Sequence, residues 1–168
     1  MIIRKMEEKD IESVVDIKIF GWLTAYKGII ADEDLEIVKN SRAERIEKRK
    51  IDFRESHFIV AEENDEVVGF SRYVDDGSRS PEVPDADCEL IALYVKLEFK
   101  RRGIGSALLN YVRDEFRQIG KTRMILWCLK ENYPSRKFYE TMGGHLVAEK
   151  EFELNGHKYT DVGFLFEL

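Results

Sequence analysis

Between residues 87 and 143 the chain changes character in an order that few folds accommodate. An apolar run, Glu89-Leu90-Ile91-Ala92-Leu93-Tyr94-Val95, passes into a basic glycine turn, Lys100-Arg101-Arg102-Gly103-Ile104-Gly105-Ser106. The near-continuous apolar content of Cys88–Val95 predicts a central strand buried on both faces. After the turn, Ile104, Leu108, Leu109, Val112, Phe116 and Ile119 fall on one stripe of a helix that Gly120 stops. A strand, a cationic glycine turn and a helix start suit a phosphorylated ligand, because unpaired amides and the helix dipole converge there. Asn132 comes later, and Tyr139 stands seven residues beyond it in Phe138-Tyr139-Glu140.

The flanking segments complete a mixed α/β pattern. Ile2-Ile3 opens as a short strand. Ile11, Val14, Val15, Ile19, Trp22, Leu23 and Tyr26 recur at helical spacing up to Gly28. Residues 32–50 predict one charged helix whose sparse apolar side is Leu35, Val38 and Ile46, a lid or shoulder more than a core element. His57–Ala61 and Val67–Val74 predict a hairpin around Asn64-Asp65. Asp75 to Asp87 is a polar loop long enough to suggest a role. Met124–Leu129 predicts a buried strand. Pro134 suits the first turn of a helix ending at Gly143-Gly144. Leu146–Leu154 and Tyr159–Leu168 predict a closing hairpin at Asn155-Gly156. The order β-α-α-β-β-β-α-β-α-β-β places helices against a central sheet.

Composition excludes several classes of function. The 168 residues suffice for one domain with a sizeable core. A net charge of −6 lacks the cationic excess that nonspecific nucleic-acid binding needs, so no nucleic-acid partner is expected. No run approaches the roughly 20 apolar residues of a membrane span, and the start of the chain is charged too early for a signal peptide. The expected location is cytoplasmic, without membrane association. Cys88 and Cys128 are expected as buried free thiols. With His57, His145 and His157 they show no zinc-ligand spacing, so no metal is expected.

Three phosphate-binding patterns bear on the glycine turn. A dinucleotide fingerprint, G-x-G-x-x-G after a first strand, fails because Leu108 stands where the third small residue belongs. Gly120-Lys121-Thr122 fails as a P-loop because Glu115 stands where the first glycine is needed, and the segment follows a helix. The third pattern, R/Q-x-x-G-x-G/A, is the pyrophosphate loop of the GCN5-related N-acetyltransferases (GNAT), and the chain resembles that family. The resemblance rests on four segments in order: the strand end Leu93-Tyr94-Val95, the turn Arg101 to Ser106 with its helix, Asn132, and Phe138-Tyr139-Glu140 before Gly143-Gly144. Phe20 to Ile29 also resembles the first helix of many such enzymes. Lys100 departs from the usual Arg or Gln and leaves the amide cradle intact.

The resemblance implies a GNAT fold over residues 1–168, a single acetyltransferase domain. Its mixed sheet of about seven strands is flanked by four helices and splays after the central strand. Acetyl-CoA is the implied cosubstrate. Arg101, Arg102, Gly103, Ile104, Gly105 and Ser106 would hold its pyrophosphate, with glycines allowing close backbone approach. Leu93, Tyr94 and Val95 would pair with the pantetheine arm like an added strand. Asn132 would bond a pantetheine amide, or else cap a helix. Tyr139 is the general acid by position; a phenol of pKa ~10 can protonate a leaving thiolate. Its alternative is a core aromatic. Glu89, the one carboxylate in the apolar strand, is the candidate general base, since burial raises a carboxyl toward operating pH. The alternatives are a solvent-facing Glu89 or a water relay. The other glutamate position used in the family, on the following strand, is Trp127 here.

The expected reaction is transfer of acetyl from acetyl-CoA to a primary amine of a small molecule or peptide by direct attack in a ternary complex. Asp75, Asp76, Glu82, Asp85, Asp87 and Glu89 against Arg79 suggest a cationic acceptor, such as a polyamine, an aminoglycoside or a lysine peptide. The same loop also reads as ordinary solvated surface. Trp22, Tyr26 and Tyr73 are candidates for the acceptor groove, although Trp22 and Tyr26 also fit the core stripe. A homodimer is compatible with these features. The rivals are a non-catalytic acyl-CoA-binding module of the same fold and a nucleotide-dependent transferase or kinase.

Overall fold

A computed structural model of the chain describes residues 1–54, 57–77 and 80–168. Arg79, counted in the charge of the 75–87 loop, lies outside the described residues. In chain order the elements are β1 (Ile2–Lys5), α1 (Ile11–Ala25), α2 (Asp32–Asn40), α3 (Arg42–Asp52), β2 (His57–Glu63) and β3 (Glu66–Val74). There follow β4 (Cys88–Val95), α4 (Ile104–Gln118), β5 (Arg123–Leu129), α5 (Tyr133–Thr141), β6 (His145–Leu154) and β7 (His157–Glu167). The seven strands form one sheet in the order β1-β2-β3-β4-β5-β7-β6. The expected mixed sheet is therefore present. Among the described residues no helix is long and apolar enough to cross a membrane.

Residues 32–50 form two helices where one was expected, which brings the described α-helices to five. The break falls at Ser41. Its hydroxyl donates to the Val38 carbonyl at 2.7 Å and accepts from the Arg45 side chain at 2.6 Å. A serine that offers the backbone such a local alternative interrupts helix propagation. Nor are these helices only a shoulder. Leu35, Val38 and Ile46 are buried, and Val38 and Ile46 join the core. Arg42 anchors α3 to α1 through Asp16 at 2.6 Å and Glu12 at 3.0 Å.

Contacts divide the chain into two compact units, residues 1–73 with 92–111 and residues 74–91 with 112–168. In the first unit, the apolar face of α1 (Ile11, Val14, Val15, Ile17, Ile19) packs with Phe58, Val60, Val67 and Phe70 of the β2–β3 hairpin. That hairpin closes through Asn64 and Asp65, whose φ values of 53° and 62° are left-handed. Short polar side chains tolerate this conformation, which explains a tight turn without the usual glycine.

In the second unit, β5 is laddered to β7 along all seven of its residues, from Arg123↔Glu167 to Leu129↔Asp161. Its parallel ladder with β4 covers only Cys88↔Met124 to Leu90↔Leu126. Burial follows the same division within β4. Cys88, Glu89 and Leu90 are buried, whereas Ile91 to Val95 are half-buried. Full burial on both faces, expected from the apolar run, thus holds only for the first three residues. The described part of the 75–87 loop carries turns of its own. Successive turns link Ser80 N–H to Gly77, Val83 N–H to Ser80 and Ala86 N–H to Val83. Val83 and Ala86 pack on Ile125.

On α4 the stripe ends one residue group earlier than its spacing suggests. Ile104, Leu108, Leu109, Val112 and Phe116 are buried, but Ile119 is 58% exposed just before the left-handed Gly120. Phe116→Ala should therefore lower unfolding stability in urea by about 3–5 kcal/mol, the usual cost of emptying a buried aromatic site. Ile119→Ala should stay within about 0.5 kcal/mol of the parent. Equal losses would contradict this assignment of the stripe.

Candidate active site

The first unit contains the glycine turn. A 3-10 turn over Leu97–Phe99 leads into it, and Arg101 and Gly103 both adopt left-handed backbone, with φ of 62° and 81°. The Gly103 carbonyl accepts from the Ala107 amide at 2.9 Å, which starts α4, while the buried Ile104 side chain pins the turn to the core. A side chain at Gly103 would meet no atom within 4 Å, so glycine serves the backbone conformation, and the space over it is open. The first amides of a helix have no partner within it. Here they belong to Ile104 and the residues after it, at the positive end of a fifteen-residue helix. Arg102 is tied down: it pairs with Glu63 at 2.7 Å and lies over the Phe99 ring. Lys100 and Arg101 are exposed.

Leu93, Tyr94 and Val95 lie on the half-buried part of β4. The Lys96 amide donates to the Val68 carbonyl, and the Ser71 hydroxyl donates to the Ala92 carbonyl at 2.9 Å. The Tyr94 ring stacks on Phe70 and lies over Gly21, where an added Cβ would come within 2.7 Å of it. Its hydroxyl accepts from the Trp22 indole at 3.1 Å and lies 3.3 Å from the Tyr26 hydroxyl. Two expected acceptor-groove residues, Trp22 and Tyr26, are thus gathered around one expected cofactor residue. Tyr73 is not in this group; it is buried and stacks on His57 with centroids 5.1 Å apart.

The second unit holds Glu89, Asn132 and Tyr139. Glu89 is 7% exposed, so it does not face solvent from the strand's start. Its Oε2 accepts from the Ser80 hydroxyl at 3.0 Å, and Ser80 Oγ accepts from the Trp127 indole at 2.8 Å. Ser80 has no sequence spacing that singles it out, and Trp127 stood out only as a replacement for a glutamate. Asn132 caps α5, its Oδ1 accepting from the Ser135 amide at 3.4 Å. Tyr139, two helical turns on, is 8% exposed and packs against Phe138 and Phe164.

Several acidic side chains of the 75–87 loop have structural partners. Asp85 pairs with Arg123 at 3.4 Å. The Asp87 carboxyl is held below its ordinary value: burial pushes it up, but the Thr122 and Arg123 amides and the Thr122 hydroxyl outweigh burial. The free thiols are pushed up, Cys88 by burial and then by Asp87, and Cys128 to about 12 by burial and then by Asp161. Both therefore stay protonated near neutrality.

With this geometry in view, comparison with known proteins assigns the family. The profile described as "Acetyltransferase (GNAT) family" matches residues 22–144. The chain belongs to the GNAT acetyltransferase family. The uncharacterized N-acetyltransferase YuaI of Bacillus subtilis is 30% identical over 161 residues, 96% of this chain and 90% of that protein. A spermidine N(1)-acetyltransferase of Thermoplasma acidophilum is 23% identical over 162 residues, 90% of this chain and 97% of that protein. The crystal structure of the PaiA N-acetyltransferase from Thermoplasma acidophilum, in complex with coenzyme A, has the same fold. Its TM-score is 0.73 at 19% identity, with 99% of this chain and 98% of that chain covered.

Asp161 on β7 is a carboxyl missed by sequence reasoning. Burial pushes it from 3.8 up to about 6, with Lys150 across the strand pair opposing the shift. Between these values the folded state binds more protons than the unfolded one, so stability from this group falls as pH rises from about 4 to about 6. Asp161→Asn removes that loss. The melting-temperature difference, variant minus parent, should grow over this interval and level off above it. A difference independent of pH would contradict the assignment.

Proposed function

We propose that the chain is an acetyl-CoA-dependent N-acetyltransferase acting on a primary amine of a small molecule or peptide in a ternary complex. The observation that carries this reading is the left-handed turn at Arg101–Gly103, open above Gly103 and leading into the N-terminus of α4. Such a turn suits a pyrophosphate, because backbone amides and the helix dipole face an anion without a competing side chain. Family membership supports the same assignment.

In this reading residues 1–168 act as one acetyltransferase domain. Acetyl-CoA supplies the thioester carbonyl that the amine attacks. The amides of Arg102 to Ser106 hold the pyrophosphate, with Lys100 and Arg101 adding longer-range attraction. Backbone of Leu93, Tyr94 and Val95 receives the pantetheine arm like an added strand. The half-burial of this stretch, beyond the end of the β4–β5 ladder at Leu90, supports that role. Asn132 spends its carbonyl oxygen on the α5 cap and offers its amide nitrogen to a pantetheine carbonyl. Glu89 takes the proton from the amine as the new C–N bond forms. Tyr139 donates its proton to the thiolate as the C–S bond breaks. Trp22 and Tyr26, gathered at Tyr94, are proposed to border the acceptor, and Tyr73, stacked on His57 apart from them, is proposed as a third acceptor-groove residue. A polyamine is a first candidate, by analogy with the relative named a spermidine N(1)-acetyltransferase.

The test is a panel of spermidine, aminoglycosides and lysine peptides, read by release of coenzyme A thiol. Tyr139→Phe and Glu89→Gln should each lower kcat by about 10²-fold or more, in line with general acid–base contributions. The acetyl-CoA dissociation constant should stay within about twofold, because neither change touches the phosphate cradle. Gly103→Val should do the reverse, weakening acetyl-CoA binding by at least about tenfold, since valine resists left-handed backbone. Binding of acetyl-CoA without thiol release from any amine would favour a binding module over an enzyme.

A further inference from the structure

Glu89 does not stand alone in its part of the molecule. Ser80 is fully buried, and its hydroxyl is the link between a carboxylate and an indole. The direction of this chain follows from donor chemistry. An indole N–H can only donate, so Ser80 Oγ accepts from Trp127. The single Ser80 proton is then free to point at Glu89 Oε2. An ionised carboxylate only accepts, so the ordering Trp127 to Ser80 to Glu89 matches Glu89 as an anion. A buried anion is costly unless it receives hydrogen bonds of this kind.

The surroundings fix both partners. Trp127 lies flat on Gly163, where an added Cβ would come within 2.9 Å of the ring. The Lys150 ammonium sits 3.9 Å from the Trp127 ring centroid. Ser80 is held by its turn bonds to Gly77 and Val83. Gly77 in turn admits no side chain, because a Cβ there would meet the Ala86 carbonyl oxygen at 1.9 Å.

We propose that Ser80 and Trp127 are positioning residues that hold the Glu89 carboxylate in one orientation and keep it ionised for proton abstraction. The proposal rests on the reading of Glu89 as the base. It gives the 75–87 loop its role: the loop delivers one hydroxyl to the buried end of β4. It also gives the tryptophan at position 127 a role, since its indole combines a neutral donor-only nitrogen for Ser80 with a flat ring against Gly163 and beneath the Lys150 ammonium.

The test follows Glu89 directly, by 13C NMR of protein labelled at the glutamate side-chain carboxyls. The Glu89 signal is assigned by its loss in Glu89→Gln. Asp161, Asp87, Lys150 and Cys88 are the other titratable groups named in this part of the fold, so the titrations are run in an Asp161→Asn background. Ser80→Ala should move the Glu89 midpoint to higher pH by about one unit, the size of one charge-assisted hydrogen bond. Trp127→Phe should move it in the same direction by less, and Ser80→Thr should restore it. An unmoved midpoint in both Ser80→Ala and Trp127→Phe overturns the inference, and having two variants guards against one that fails to fold. A second arm measures kcat/KM against pH for the panel amine with the highest rate. There the acidic limb should move with the NMR midpoint. If Glu89→Gln leaves the rate and the acidic limb unchanged, the base reading itself fails, and this inference fails with it. A moved NMR midpoint beside an unmoved limb in Ser80→Ala also overturns it.

Discussion

Strand β4 is asked to satisfy two incompatible solvents, and much of the architecture follows from how it does so. Its first three residues are buried and laddered to β5, and one of them is a glutamate. Its last residues are only half-buried and run toward a cationic turn. An ionisable group in the laddered end is stable only with a hydrogen-bonding partner at hand. Ser80 is that partner, and the turns from Ser80 to Ala86 are anchored by the buried Val83 and Ala86. At the other end, hydrogen bonds to Val68 and Ser71 of β3 keep the backbone ordered.

Local rules made much of this legible. The central strand, the amphipathic helix after the glycine turn, the first turn of α5 with Pro134 and the Asn155-Gly156 hairpin all announce themselves through period and turn chemistry. The left-handed φ values of 49° and 86° at Asn155 and Gly156 are what those residue types permit cheaply. The order of the four segments around residues 93, 103, 132 and 139 carried the family.

What stayed hidden depends on partners remote in sequence. Trp22 and Tyr26 meet Tyr94 across a separation of 72 and 68 residues. Arg102 is claimed by Glu63, 39 residues away, so one cation of the turn is committed to β2. No periodicity encodes either pairing. The Ser41 break was hidden for a different reason: helix propensity sums smoothly over 32–50, while a single hydroxyl bonded to a carbonyl three residues back decides the interruption. Ser80 combines both difficulties, a small polar residue in a loop whose partners lie on two strands.

Everything proposed for the turn from Lys100 to Ser106 depends on its holding the pyrophosphate of an acyl-CoA. Calorimetric titration of the purified protein with acetyl-CoA tests it most directly, with ATP–Mg²⁺ as the competing phosphate ligand and pantetheine as the ligand lacking pyrophosphate. A pyrophosphate cradle at this turn should bind one acetyl-CoA per chain, more weakly as salt rises, and pantetheine much more weakly still. Saturable binding of ATP–Mg²⁺ without binding of acetyl-CoA would contradict it.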